Sequence, residues 1–271
     1  MKFCRFLPLS GPAGRTHLPA YGLLDADVVR EIVGTPWGTW VEGHGIWNLQ
    51  HVRLLNPCEP TKIVCVGRNY AAHAAELGNE MPKDPLIFLK PPSSLVGPDE
   101  PIVLTSISKR VEQEGELAAV IGKRCYFLSD EVDPLSYVLG YTCLNDVTAR
   151  DLQKSDGQFT RAKGFDTFCP VGPHIESQID PCNVLVECRV NGQTRQSGNT
   201  SLMAYPVAFL IRWISRVMTL YPGDLVATGT PAGVGPLVSN DVVEVSARGI
   251  GVLRNPVHPP DADIARADGF R

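Results

Sequence analysis

The stretch Glu112-Gln113-Glu114-Gly115-Glu116-Leu117-Ala118-Ala119-Val120-Ile121-Gly122 passes from alternating glutamates straight into an unbroken apolar run. A short apolar run closed by Gly reads as a buried strand. Alternate side chains of a strand share a face, so the three glutamates would project together, about 7 Å apart. Carboxylates at that spacing repel one another unless a cation gathers them. A solvated edge of a half-exposed strand also fits the acids alone. The continuation into a buried run, and not into a polar loop, points to a cation.

Working outward, KIVCVG (62–67), LIFLKPPSSLVG (86–97), EPIVLT (100–105) and YVLGYTCLND (137–146) each read as strands ended by Gly, Pro or polar residues. LVECRVNGQTRQSGN reads as a hairpin turning at Asn191-Gly192. DLVATGTP and DVVEVSARGIGVLRNPV read as closing strands. PVAFLIRWISRVMTL carries apolar residues on a helical period and is the best helix. Before all of these, YGLL is strand-like, DADVVREIVG reads as a short helix, and NPCEPTK as a linker. The expected organisation is a small unit over 1–57, a β-rich α/β domain over 58–258 and a peripheral tail over 259–271.

Composition supports that reading. Hydrophobic residues make up 44% of 271, which excludes intrinsic disorder. The 25 glycines and 23 prolines are about 18% of the chain, against roughly 12% in average proteins, which argues for many turns and against a helical bundle. A formal net charge of -4 argues against a nucleic-acid binder. No run approaches the roughly 20 apolar residues of a membrane span, and no signal-peptide pattern opens the chain. Eight cysteines without a C-x-x-C pair read as buried free thiols, and the cytoplasm is the expected compartment.

Four further features carry candidate chemistry. Asp146 precedes VTARDLQ, where an Asp suits a helix N-cap; Asp146, Arg150 and Gln153 would then share one face of the helix, a surface fit to bind a carboxylate. Asp151 lies off that face and reads as solvated. In GRNYAAHAAELG, Asn69 suits a cap and Gly78 an end, which sets His73 and Glu76 at i, i+3. Such a pair serves either as a general base or as a plain surface contact. Lys163 stands between a polar loop and an apolar strand, where it could steady an oxyanion. GTPAGVG (229–235) lacks the Lys-Ser/Thr ending of a P-loop; its glycines allow close approach to a ligand, with Thr230 as a contact. No H-E-x-x-H occurs, so the acids favour Mg²⁺ or Mn²⁺, with Ca²⁺ as a further candidate.

In order, VGRNYAAHAAE, PLIFLKPPSSLVG, EGELAAVIGK, YTCLNDVTARDLQ, FTRAKGFDTFCPVGP, GNTSLM and PGDLVATGTPAGVG resemble the fumarylacetoacetate hydrolase superfamily, over about three quarters of the chain. The first unit resembles the short extra domain of some bacterial members. The resemblance implies a mixed β-sandwich roll with few short helices, and a homodimer. It implies Glu114, Glu116 and Asp146 as metal ligands, with Glu112 outside the ligand set. It implies His73 and Glu76 as a water-activating dyad on a lid, with Lys163 and Gln153 catalytic and Arg150, Thr230 and Arg68 binding substrate. No organic cofactor is expected. The activity implied is metal-dependent hydrolysis of a C–C bond in an acylpyruvate- or fumarylacetoacetate-type 2-oxo acid through an enolate. The alternative is an isomerase, tautomerase or decarboxylase of 2-hydroxymuconate- or oxaloacetate-type acids at the same site.

Overall fold

The computed structural model describes residues 1–9 and 18–260. The strand Gly115–Ile121 is buried along its whole length, because both of its faces are covered. Leu117, Ala119 and Ile121 face one core with Val186, Cys188, Val243 and Val245 and the helical Leu210, Ile211 and Ile214. Ala118 and Val120 face a second core with Ile63, Cys65, Leu144, Val171 and Leu225. The period of two set by the pleat thus divides one short apolar run between two cores.

That strand lies in a 12-stranded sheet, between Val138–Asn145 and Leu225–Ala227. Ile63–Gly67 and Leu86–Lys90 extend the sheet on one side. On the other come Cys169–Glu176 and then the chain's first strands. A five-stranded sheet, which includes the hairpin Leu185–Val190/Gln193–Asn199 and Val242–Ala247, packs on the first core. The helices among the described residues are α1 (Ala71–Glu76), α2 (Arg150–Asp156), α3 (Thr160–Lys163) and α4 (Val207–Val217). The β-rich sandwich is therefore as expected. Asn191 and Gly192, both at positive φ, make the expected hairpin turn, and α4 is the long amphipathic helix. All eight cysteines are free and seven are buried.

Two local expectations fail. The segment expected as a short helix over 25–34 is instead the strand Val28–Gly34, paired on both edges with Ala20–Asp25 and Trp40–Asn48. Ala26, at φ +46°, turns the chain, and the β-branched Val28, Val29, Ile32 and Val33 then suit the pleat better than a helix. The acidic stretch is not one strand either. Val111–Glu112 pairs with Thr148–Ala149 in a two-stranded ribbon, and regular pairing resumes only at Gly115.

The first unit is joined to the rest through Lys2 and Phe3, which pair with Glu176 and Ile175. Residues 56–62 have no regular structure, and Asp224 fixes them by accepting from Thr61 N at 2.9 Å and Thr61 Oγ1 at 2.7 Å. The tail expected over 259–271 lies, from residue 261 on, outside the described residues. No helix among the described residues is long and apolar enough to cross a membrane.

One buried group in this junction has a pH consequence. His174 is 4% exposed, and neither ring nitrogen has a hydrogen-bond partner among the described residues. Burial first, then the Lys2 charge, pushes its pKa down from 6.5 to about 4. As pH falls through that window the unfolded chain takes up the proton and the native one does not, so stability drops. Between pH 7 and pH 5 the native sequence should lose about 2 kcal/mol more than His174→Phe in urea unfolding. Equal losses in both proteins would contradict this.

Candidate metal and active site

Antiparallel register brings the acids together. Gly115 pairs with Asn145, so the start of one central strand meets the end of its neighbour. Asp146 N donates to Glu114 O at 2.9 Å, and Glu114 N to Asn145 Oδ1 at 2.9 Å. One carboxylate oxygen each of Glu114, Glu116 and Asp146 then lies within 4.8 Å of the others, all three side chains buried. Asp146 is not a helix cap: α2 begins at Arg150, after the strand pair Thr148–Ala149, and its N-cap is Ala149. Of the three residues expected on one helical face, Arg150 and Gln153 meet, while the Asp146 carboxylate is held by Lys90 and Lys163 instead. The Arg150 guanidinium holds Gln153 Oε1 at 2.6 Å, Glu112 Oε2 at 2.7 Å and Glu114 Oε1 at 2.6 Å. Glu112 is thus tied to Arg110 and Arg150 and stands outside the acidic triad. Asp151 is not simply solvated, since it accepts from Ser108 Oγ and Lys109 N.

Lys163 Nζ bridges Glu114 Oε2 at 2.7 Å and Asp146 Oδ2 at 2.6 Å. Burial alone would raise the Glu114 carboxyl, but Lys163, Arg150 and His73 outweigh it and hold it well below the usual range. Burial would lower the Lys163 ammonium, yet Asp146 and Glu114 raise it. Glu116 differs from its neighbours. It is 2% exposed, accepts from Gly229 N at 2.8 Å and has no ion pair among the described residues. Burial, then Asp146 and Glu114, push its pKa well above the ordinary value. A buried carboxylate left without a cation beside two other acids fits a hard divalent ion, which takes oxygen ligands.

The triad opens into a cavity of about 220 Å³ lined by His73, Arg68, Gln153, Lys163 and Thr230 among others. His73, on α1, has Nδ1 3.4 Å from Glu76 Oε2, and Nε2 has no hydrogen bond among the described residues. Asn69 does not cap this helix. Its side chain donates to the Tyr205 and Thr228 carbonyls and fixes the segment before α1 instead. Glu76 is held from the far side, because Gly233 N lies 3.0 and 3.1 Å from its two oxygens. Gly233 has φ +108°, and a Cβ there would sit 1.9 Å from the Arg195 carbonyl, so only Gly fits. Gln113 Nε2 in turn donates to Gly233 O at 3.1 Å, which ties this loop to the acidic stretch. The Thr230 hydroxyl, expected as a substrate contact, donates to Gly115 O and accepts from Gln196 Nε2.

Sequence reasoning missed Lys90, whose ammonium donates to Asp146 Oδ1 at 2.7 Å, and Lys154, which lines the cavity. A lone lysine closing the apolar run Leu86–Leu89 was the available signal for the first. Lys154 carries no comparable one.

Comparison with known proteins gives the family of each part of the chain. The family described as fumarylacetoacetate (FAA) hydrolase C-terminal matches residues 62–258, and the family Rv2993c-like, N-terminal, matches residues 1–57. The structure of 5-carboxymethyl-2-hydroxymuconate delta-isomerase from Mycobacterium smegmatis is 43% identical with TM-score 0.86, covering 96% of this chain and 100% of that one. The mitochondrial oxaloacetate tautomerase Fahd2a of Rattus norvegicus is 44% identical, over 73% of this chain and 66% of its own length. Fumarylpyruvate hydrolase from Pseudomonas aeruginosa, in complex with Mn²⁺ and pyruvate, is 32% identical with TM-score 0.70, covering 76% of this chain and 92% of that one.

Glu114→Gln and Asp146→Asn should each abolish Mn²⁺ uptake measured by calorimetry, while circular dichroism stays native. Uptake at native affinity in either variant would remove that residue from the ligand set.

Proposed function

Because the chain belongs to the fumarylacetoacetate hydrolase family, whose members are enzymes, we propose that it forms the enolate of a small 2-oxo acid at a divalent-metal centre and breaks a C–C bond by hydrolysis. The observation that carries this reading is Glu116, buried in the acidic triad and without an ion pair among the described residues. Glu114, Glu116 and Asp146 would hold Mg²⁺ or Mn²⁺, which supplies Lewis-acid stabilisation of developing negative charge. The charge balance supports an anionic substrate. Four buried carboxylates, Glu112, Glu114, Glu116 and Asp146, face three buried cations, Lys90, Arg150 and Lys163. One divalent ion turns that deficit into an excess of one positive charge. Arg68 and Lys154, which line the cavity and have no ion pair among the described residues, add to it.

The protein's own groups then divide the work. His73, oriented by Glu76, has a ring nitrogen free to take a proton from water in the cavity. The Gly233 N–H keeps Glu76 in place behind it. Lys163 and Gln153 supply a positive charge and an amide donor where negative charge develops. The catalytic unit is taken as 58–258 behind a small unit over 1–57, a division supported by the two family matches.

A second reading keeps the enolate and returns the proton to another atom, giving isomerisation or tautomerisation. It is favoured by the relatives, since the isomerase and tautomerase above are 43% and 44% identical and the hydrolase 32%.

Turnover of a panel of acylpyruvates and 2-oxo diacids with Mn²⁺ in ¹⁸O-water distinguishes the two. Hydrolysis places ¹⁸O in the released carboxylic acid. An isomer with solvent deuterium from D₂O and no ¹⁸O would support the second reading and overturn the first. His73→Asn should slow either reaction by about 10²–10⁴-fold with Mn²⁺ affinity unchanged. Turnover at the native rate would remove the dyad.

A further inference from the structure

Lys90 closes the strand Leu86–Lys90 with its ammonium buried behind the acidic triad, 1% exposed and outside the lining of the cavity. It therefore has no access to substrate. Its proton donors go to Asp146 Oδ1 at 2.7 Å and to the Val147 carbonyl at 3.3 Å. The other Asp146 oxygen, Oδ2, lies on the Glu114 side, where Lys163 bridges the two carboxylates. Asp146 is the carboxylate that balances Lys90 among the described residues. The thiols of Cys65 and Cys169 are also buried in this region, and burial keeps both protonated. They offer no competing negative charge.

We propose that Lys90 is a positioning residue of the metal centre: it claims Asp146 Oδ1 and so leaves Oδ2, the oxygen on the Glu114 side that Lys163 also holds, as the one offered to an ion. With Lys90 on Oδ1, Lys163 on Oδ2 and the Val147 carbonyl fixing the Lys90 ammonium, the Asp146 carboxylate has little freedom to rotate. Such a carboxylate would offer an ion one oxygen. That suits Mg²⁺ or Mn²⁺ in an octahedral site better than Ca²⁺, which accepts two oxygens of one carboxylate. The inference rests on the metal site of the proposed function and is independent of whether hydrolysis or isomerisation follows.

The test is calorimetric titration of the folded, metal-free full chain with Mn²⁺ and, separately, with Ca²⁺. Lys90→Met should weaken Mn²⁺ binding by about 10–100-fold, the range for loss of a group that orients a metal ligand. Ca²⁺ binding should weaken less, because Oδ1, released from the Lys90 ammonium, becomes available as a second oxygen for the ion. Lys90→Arg, which keeps charge and donors, should recover part of the Mn²⁺ affinity. If Lys90→Met gives no folded protein, Lys90→Gln is titrated in its place with the same expectation. Unchanged Mn²⁺ affinity, or equal losses for both ions, would overturn the inference. Absence of Mn²⁺ uptake by the native sequence would overturn the metal reading itself, and Lys90's role with it.

Discussion

Among the described residues Asp146 carries two lysines and Glu116 carries none. That asymmetry, inside a buried group of four carboxylates and three cations, is the constraint from which the rest of the site follows. Taking charges out of water costs several kcal/mol per ion unless partners compensate. Arg150 compensates Glu112 and Glu114, and Lys163 bridges Glu114 to Asp146. What remains uncompensated lies at Glu116, whose carboxyl is pushed upward by burial and by its acidic neighbours. A chain that buries such a group beside a cavity has a site matched to a divalent ion.

The fold supplies the convergence. Gly115 opposite Asn145 sets the two triad-bearing strand ends side by side. Leu225–Ala227, on the other edge, delivers Gly229 N to Glu116. Leu86–Lys90 delivers an ammonium from behind. Three connections that lie far apart in sequence thus end on one carboxylate cluster. The tie from Gln113 through Gly233 to Glu76 links the same acidic stretch to the helix that bears His73. A displacement of that stretch would therefore be felt at both the acids and the dyad.

Much of this was legible in the sequence, for identifiable reasons. The run Leu117–Ile121 read as buried because no polar residue interrupts it, and the Asn-Gly turn and α4 announced themselves through turn chemistry and a helical period. The triad was legible through the resemblance, because spacing alone does not say that Glu114 and Asp146 meet. The helix expected near Asp27 failed because tertiary pairing on both edges selects a strand from a β-branched segment whose helical period is weak. Local propensity makes Asn69 a cap and offers a cap as the plain alternative for Asp146, beside the ligand role that the resemblance implies. The structure instead commits Asp146 to two buried lysines and Asn69 to distant carbonyls. Lys90 carries only a weak signal, a lone lysine closing an apolar run, and its partner Asp146 lies 56 residues away.

The central claim is that one divalent ion sits among Glu114, Glu116 and Asp146. Anomalous diffraction from crystals grown with Mn²⁺ tests it directly. A single strong anomalous peak is expected, with an oxygen of each of the three carboxylates at about 2.0–2.5 Å. A peak that omits Glu116, or one located away from the triad, would contradict it.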